Sequence, residues 1–146
     1  MNISISIVLF NADPEELNKI MMLCDKLENV EKIFLIDNGG SSFSQNLSKK
    51  RQKKYTYINS RSNIGYGAGH NVALAYAKDN NSDLHIVMNS DLFFDPIEVS
   101  KFLFEVNRLE NFLIAGPRII NPKDQNLSYF KYSPTFFLVI FTFSSL

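Results

Sequence analysis

Short apolar runs alternate along this chain with stretches of helical periodicity, and that alternation constrains the fold more than any other feature. Ile3 to Phe10 is apolar and β-branched at its start, as suits a strand buried on both faces of a parallel sheet. Asp13-Pro14-Glu15-Glu16 then reads as a helix start. Asp13 can cap free N–H groups, Pro14 fits the first helical position, and two acids suit the positive end of the dipole. Leu17, Ile20, Met21, Cys24 and Leu27 follow at spacings of three and four, one helical stripe. Lys32 to Ile36 is a second buried-type strand and runs into the turn-rich loop Asp37-Asn38-Gly39-Gly40-Ser41-Ser42. Leu47 to Lys54 reads as a short polar helix, and Tyr55 to Asn59 alternates as a third strand.

The second half repeats the scheme. Asn63 to Asn71 is a glycine-rich loop leading into a helix with Val72, Ala73, Tyr76 and Ala77 on its inner side. Leu84 to Met88 is a fourth strand ending in Asn89-Ser90-Asp91. Asp95-Pro96-Ile97-Glu98 repeats the helix start, with Glu98 placed as a capping-box partner. Val99, Phe102, Leu103, Val106 and Leu109 form its apolar stripe. Phe112 to Ala115 is a fifth strand, broken by Gly116-Pro117, with Arg118 to Ile120 as a continuation. Such alternation predicts a three-layer α/β/α sandwich around a mostly parallel sheet. At 146 residues the chain has room for one domain, and no repeat or linker divides it.

Composition then excludes several function classes. Fifteen Lys and Arg balance fifteen Asp and Glu, which argues against a nucleic-acid binder working through bulk charge. A single cysteine, Cys24, excludes an internal disulfide and a cysteine-based zinc site. Its place on the apolar stripe makes it a core residue. With two histidines, any metal must be held mostly by oxygen. The first residues lack a basic region before their apolar run, so no signal peptide is expected. No stretch reaches the roughly 18 apolar residues of a membrane span. Two segments depart from this plain picture. Lys49 to Lys54 reads KKRQKK, and Tyr132 to Leu146 carries no charge. The basic run suits a solvated face or an anionic membrane surface.

In open α/β sheets, ligands bind beyond the carboxyl ends of the strands. The loops there hold Phe10 and Asn11, Asp37 and Asn38, Arg61 to Asn71, and Asn89 with Asp91. Gly65, Gly67 and Gly69 recur at every second position. A dinucleotide fingerprint would need its third glycine at position 70, which is His70. Nor does the phosphate-loop lysine follow. The loop is then either a tight packing element or one whose backbone approaches a ligand. Asp91 is placed to bind a hard divalent cation or simply to serve a turn. Asp37 can accept from a base or ribose or start an Asx turn. His70 and His85 have no metal-like partner four residues on and read as surface or cap residues.

Taken together and in order, ISIVLFN, IFLIDNGGSS, NIGYGAGHN, MNSD, and IAGPRI followed by NPKD resemble the N-terminal half of a family-2 glycosyltransferase. The subgroup they are most similar to is rhamnosyltransferase-like and serves bacterial surface-polysaccharide assembly, such as O-antigen. The resemblance spans about residues 3 to 124 and implies the GT-A fold, a Rossmann-like α/β/α sandwich. It implies a nucleotide-sugar donor, a glycan or lipid-linked saccharide acceptor, and inverting transfer. It places Phe10 and Asn11 along the nucleotide, Asp37 on the base and Asn38 in support. Asn63, Gly65, Gly67 and Asn71 would border the nucleotide and diphosphate. Asp91 matches the last Asp of the family's D-x-D motif, which holds Mg²⁺ or Mn²⁺ against the diphosphate, and Asn89 stands where that motif has its first Asp. The general base is expected in the acceptor half, beyond this chain, so no catalytic residue is named. Residues 1–131 then read as the donor-binding part. Residues 132–146 read as an apolar tail from a truncated or frameshifted frame, able to lie at an interface or pack as a strand. A cytoplasmic place at the inner membrane face is expected, with contact through Lys49 to Lys54 or the tail. Non-catalytic nucleotide-sugar binding, one half of a split enzyme, and another α/β enzyme class stay open.

Overall fold

The computed structural model describes residues 1–39 and 53–108, with strand backbone at 114–115 and 138–142. In chain order the elements are β1 (Ile3–Leu9), α1 (Pro14–Cys24), β2 (Val30–Asp37), β3 (Tyr55–Asn59), α2 (Tyr66–Asp79), β4 (Leu84–Met88), α3 (Pro96–Asn107), β5 (Ile114–Ala115) and β6 (Leu138–Thr142). The sheet runs β3-β2-β1-β4-β6-β5. Its first four strands are parallel, and β6 returns antiparallel beside β4, followed by β5. Part of the uncharged ending therefore packs as a strand. Residues 47–52 of the helix expected at 47–54 and the strand expected at 118–120 lie outside the described residues, as do 49–52 of the basic run. Lys54 is partly placed by the fold: its Nζ donates to Cys24 O at 3.1 Å, at the end of α1, where a cation suits the helix dipole.

Alternation along β1 sorts its side chains onto two faces. Ile3, Ile5, Ile7 and Leu9 join Leu17, Ile20, Met21 and Cys24 of α1 and Val99, Leu103 and Val106 of α3 in one core. Burying each large aliphatic chain contributes roughly 1.5–3 kcal/mol. On the opposite face Val8, Phe34 and Ile36 pack against Ala73 and Ala77 of α2. Small residues let this helix come close: a Cβ at Gly69 would lie 2.8 Å from Val8 Cγ2. The three layers are therefore α1 and α3, the sheet, and α2.

Both aspartates assigned as helix caps act as such. Asp13 accepts from Glu15 N and Glu16 N, and Asp95 from Ile97 N. The capping box does not form as expected. Glu98 turns instead to Lys101 Nζ at 2.7 Å, because a lysine one turn on offers a full charge at the surface. Cys24 is fully buried, with its Sγ 3.7 Å from Met88 Sδ. Burial pushes the thiol up to about 12, which fits a core residue and not a nucleophile.

Candidate functional site

Register brings the ends of the parallel strands level. Leu9 lies opposite Asp37, Asp37 opposite Asn59, and Ile7 opposite Met88. The residues that follow these ends therefore share one edge of the sheet. Each comes from a turn that the local sequence dictates. Asn11 takes φ +50° and Arg61 φ +62°, a left-handed conformation that asparagine tolerates better than most residues. Gly39 sits against the first turn so closely that a Cβ would lie 2.8 Å from Asn11 N.

Asp37 and Asn38 form the inner wall. Asp37 is fully buried. Its Oδ1 accepts from Gly39 N at 2.8 Å, and its Oδ2 accepts from the Tyr57 hydroxyl. Asn38 is 4% exposed, and its Nδ2 donates to Gly65 O at 3.1 Å. The Ser60 hydroxyl, with one proton to give, lies 2.7 Å from Asp37 O and 2.9 Å from Asn38 Oδ1. Asn63 Oδ1 accepts from Gly65 N at 2.9 Å. Both polar groups of Gly65 are thus held by asparagines from either side, and its φ of +88° is one that glycine adopts without strain.

Beside this wall lies a cleft of about 770 Å³. Phe10, Asn11, Asn89 and Asp91 line it, together with Asp13, Glu16, Ser90 and Tyr66. Of the ten residues expected at the site, the cleft thus gathers four. Asp37, Asn38, Asn63 and Gly65 form the adjoining hydrogen-bonded wall. Gly67 and Asn71 are exposed on α2 and belong to neither group. A Cβ at Gly67 meets nothing within 4 Å, so protein packing among the described residues does not explain the glycine there.

Tyr66 was not anticipated. It opens α2, and its hydroxyl donates to Asn89 Oδ1 at 2.6 Å, joining two loops across the cleft. Burial, then the Asp91 carboxylate, push its hydroxyl up to about 12, so it remains a neutral donor near neutrality. Its ring meets His70 edge-on, with centroids 4.4 Å apart. An aromatic residue between two glycines at a helix start was the available signal.

The two histidines are not surface or cap residues. His70 is 3% exposed and His85 is fully buried. They interleave with two serines of β1 between the sheet and α2. Ser4 Oγ lies 2.7 Å from His85 Nδ1, His85 Nε2 lies 2.8 Å from Ser6 Oγ, and Ser6 Oγ lies 2.7 Å from His70 Nδ1. Burial holds His70 down to about 4. Burial, then His70, hold His85 down to about 3. Both are neutral at pH 7. Each neutral ring has one N–H and one lone pair, so the protons along the ladder point in a common direction. His70 Nε2, at its end, is the one buried side-chain polar atom without a hydrogen-bond partner among the described residues. Serines alternating with isoleucines in ISISI were the missed signal, since a buried hydroxyl needs a partner.

Known proteins share this architecture. The chain is 29% identical over 118 residues to the low-salt glycan biosynthesis hexosyltransferase Agl10 of Haloferax volcanii, covering 80% of this chain and 37% of that one. It therefore spans little more than a third of that relative's length. Among solved structures it is similar to the mannosyltransferase PcManGT from Pyrobaculum calidifontis in complex with GDP-Man and Mn²⁺. The TM-score is 0.69 at 11% identity, over 97% of this chain and 44% of that one. TarS 1-349 of S. aureus in complex with UDP-GlcNAc gives a TM-score of 0.59 at 17% identity, over 73% of this chain and 31% of that one. These structural likenesses establish the GT-A fold. The family model for Glycosyl transferase family 2 matches residues 4–143, nearly the whole chain, and the chain belongs to that family.

Proposed function

We propose that this chain is the donor-binding part of a glycosyltransferase that moves a sugar from a nucleoside diphosphate to a glycan or lipid-linked saccharide. The observation that carries this reading is the meeting, at one edge of the sheet, of a buried Asp37–Asn38 wall with the Asn89–Asp91 cleft. It is supported by the family and by similar structures that hold GDP-Man or UDP-GlcNAc.

Each residue then has a physical task. Asp37, held by Gly39 N and the Tyr57 hydroxyl, fixes the strand end at which the base is recognised. Asn38 and Asn63 hold the Gly65 peptide, so the start of α2 keeps its backbone donors at the diphosphate. Gly67 leaves space for that approach, and Asn71 borders it. Phe10 and Asn11 flank the nucleotide. The donor set suits a hard cation: Asp91 is exposed to the cleft, and Mg²⁺ is commonly held by one or two carboxylates plus substrate phosphates. Asp91 would hold Mg²⁺ or Mn²⁺, with Asn89 beside it. When bound, such a cation offsets the charge that builds on the departing diphosphate. In the transfer an acceptor hydroxyl attacks the anomeric carbon with inversion, and the bond from that carbon to the diphosphate oxygen breaks. The hydroxyl proton passes to a base that we assign to no described residue.

We place the acceptor at the inner membrane face, within a surface-polysaccharide pathway of the O-antigen kind. The charge of the 49–54 run suits contact there. No described helix is long and apolar enough to cross a membrane. Calorimetric titration with UDP, dTDP and GDP in MnCl₂ tests the donor reading. At least one should bind, and Asp91→Ala should weaken it about tenfold or more. If no nucleotide binds the wild-type chain, the donor site is misassigned.

A further inference from the structure

We propose that His70 is a positioning residue of this site: its bond to Ser6 sets how α2 sits on the sheet, and so where the open first turn of that helix meets the diphosphate. The proposal rests on the donor-site reading and goes beyond it, since His70 does not line the cleft.

The inner face of α2 carries the inference. Its four buried residues are Gly69, His70, Ala73 and Ala77. Helices lock in rotation and register when ridges of side chains enter grooves on a partner, and one glycine with two alanines offers almost no ridge. These small residues set how near the helix comes: a Cβ at Gly69 would lie 2.8 Å from Val8 Cγ2. They do little to stop it rolling on the sheet or sliding along it. His70 is the one buried residue of α2 whose side chain is long enough to do so. Its Nδ1 lies 2.7 Å from Ser6 Oγ, which lies in turn 2.8 Å from His85 Nε2 on β4. Ser6 stands two residues before Val8 in β1 and so on the same face. Helix and strand are therefore joined at two adjoining points, one by close contact and one by a directional bond. That joint lies just past the first turn. Gly65 gives this end of the helix no side-chain cap, which leaves backbone N–H groups for an anion. The His70 ring also meets the Tyr66 ring edge-on at 4.4 Å, and Tyr66 lines the cleft. A roll of α2 would thus displace the backbone donors and one wall together, and binding geometry is sensitive to shifts of about 1 Å.

Calorimetric titration of the full chain with UDP or GDP in saturating MnCl₂, well below the melting temperature, tests this. The melting temperature of each variant is read beside it. His70→Phe fills similar space without the bond to Ser6. It also removes Nε2, a buried nitrogen without a hydrogen-bond partner among the described residues, so the melting temperature should change little. Nucleotide binding should nevertheless weaken about fivefold. Ser6→Ala should weaken it to a similar degree, and keeps the test open if His70→Phe folds poorly. The double variant should bind no more weakly than either single one, as for two ends of one bond. His70→Asn, whose amide stands near the place of Nδ1, should bind more tightly than His70→Ala. Val106→Ala, in the core on the other face, should melt lower yet bind nucleotide as the wild type does. The proposal is overturned if His70→Phe and Ser6→Ala bind as tightly as the wild type, or if their effects add in the double variant. It is also overturned if Val106→Ala loses as much affinity as His70→Phe, because affinity would then merely follow stability. Absence of nucleotide binding by the wild type would instead remove the donor site itself, and this role with it.

Discussion

On one face of the sheet, Ile3, Ile5, Ile7 and Leu9 meet α1 and α3 through aliphatic side chains, with Tyr55 at the margin. On the other, the same strand turns Ser4 and Ser6 toward α2 and two buried histidines. The apolar face depends on burial, which is non-directional and indifferent to pH. The α2 face depends on small residues for close approach and on directional bonds between neutral groups, which acid can break. The capping pattern differs in the same way. Asp13 and Asp95 cap α1 and α3, whereas Gly65 gives α2 no side-chain cap. The helix on the polar face is thus the one whose first turn stays open, at the candidate site.

The sharpest way to separate the two faces is acid. Both histidines are neutral in the fold, with values near 4 and 3, whereas in the unfolded chain they titrate near 6.5. Below about pH 6.5 the unfolded chain therefore binds more protons, and stability falls as pH is lowered. By pH 4.5 the loss should reach about 5 kcal/mol for the pair. Urea melts at pH 7, 5.5 and 4.5 measure it, and His85→Asn should flatten the slope by about half. A slope unchanged in that variant would mean the α2 face is not the acid-sensitive one.

Ile86→Ala, on the apolar face, should cost about 4 kcal/mol by the same melts, and by the same amount at pH 7 and 5.5. Ser6→Ala should cost about 2 kcal/mol, since it strips a partner from His85 Nε2 and from His70 Nδ1. Hydrogen exchange in α2 should rise before that in α1. The smallest effect is at a cap: Asp95→Ala should cost about 1 kcal/mol, read as a shift in denaturation midpoint.

The same contrast explains what was legible in the chain. Stripes such as Leu17, Ile20, Met21 and Cys24, the two Asp-Pro helix starts, and the runs that became β1 to β4 declare themselves because one residue type suffices for each decision. So does the edge where Phe10, Asn11, Asp37, Asn38, Asn89 and Asp91 gather, since topology alone sends strand ends there. The histidines did not declare themselves. Whether His70 and His85 are buried depends on Ser4 and Ser6, which lie 64 to 81 positions away and become neighbours only through the parallel pairing of β1 with β4 and the packing of α2 on the sheet. Tyr66 was hidden for a related reason: its meaning lies in Asn89, 23 positions on. Glu98 shows the opposite failure, a local pattern outbid by Lys101.

The central position of β1 also sets an order of events in time. Its partner β2 arrives after one short helix, but β4 must close a loop of about 80 residues before it can pair, and such closure is slow. Asp37 hangs on the early side of β1 and Asp91 on the late side. A folding chain will therefore own the Asp37 wall well before the cleft exists. Nucleotide added during refolding should leave the folding rate unchanged and slow unfolding of the completed site.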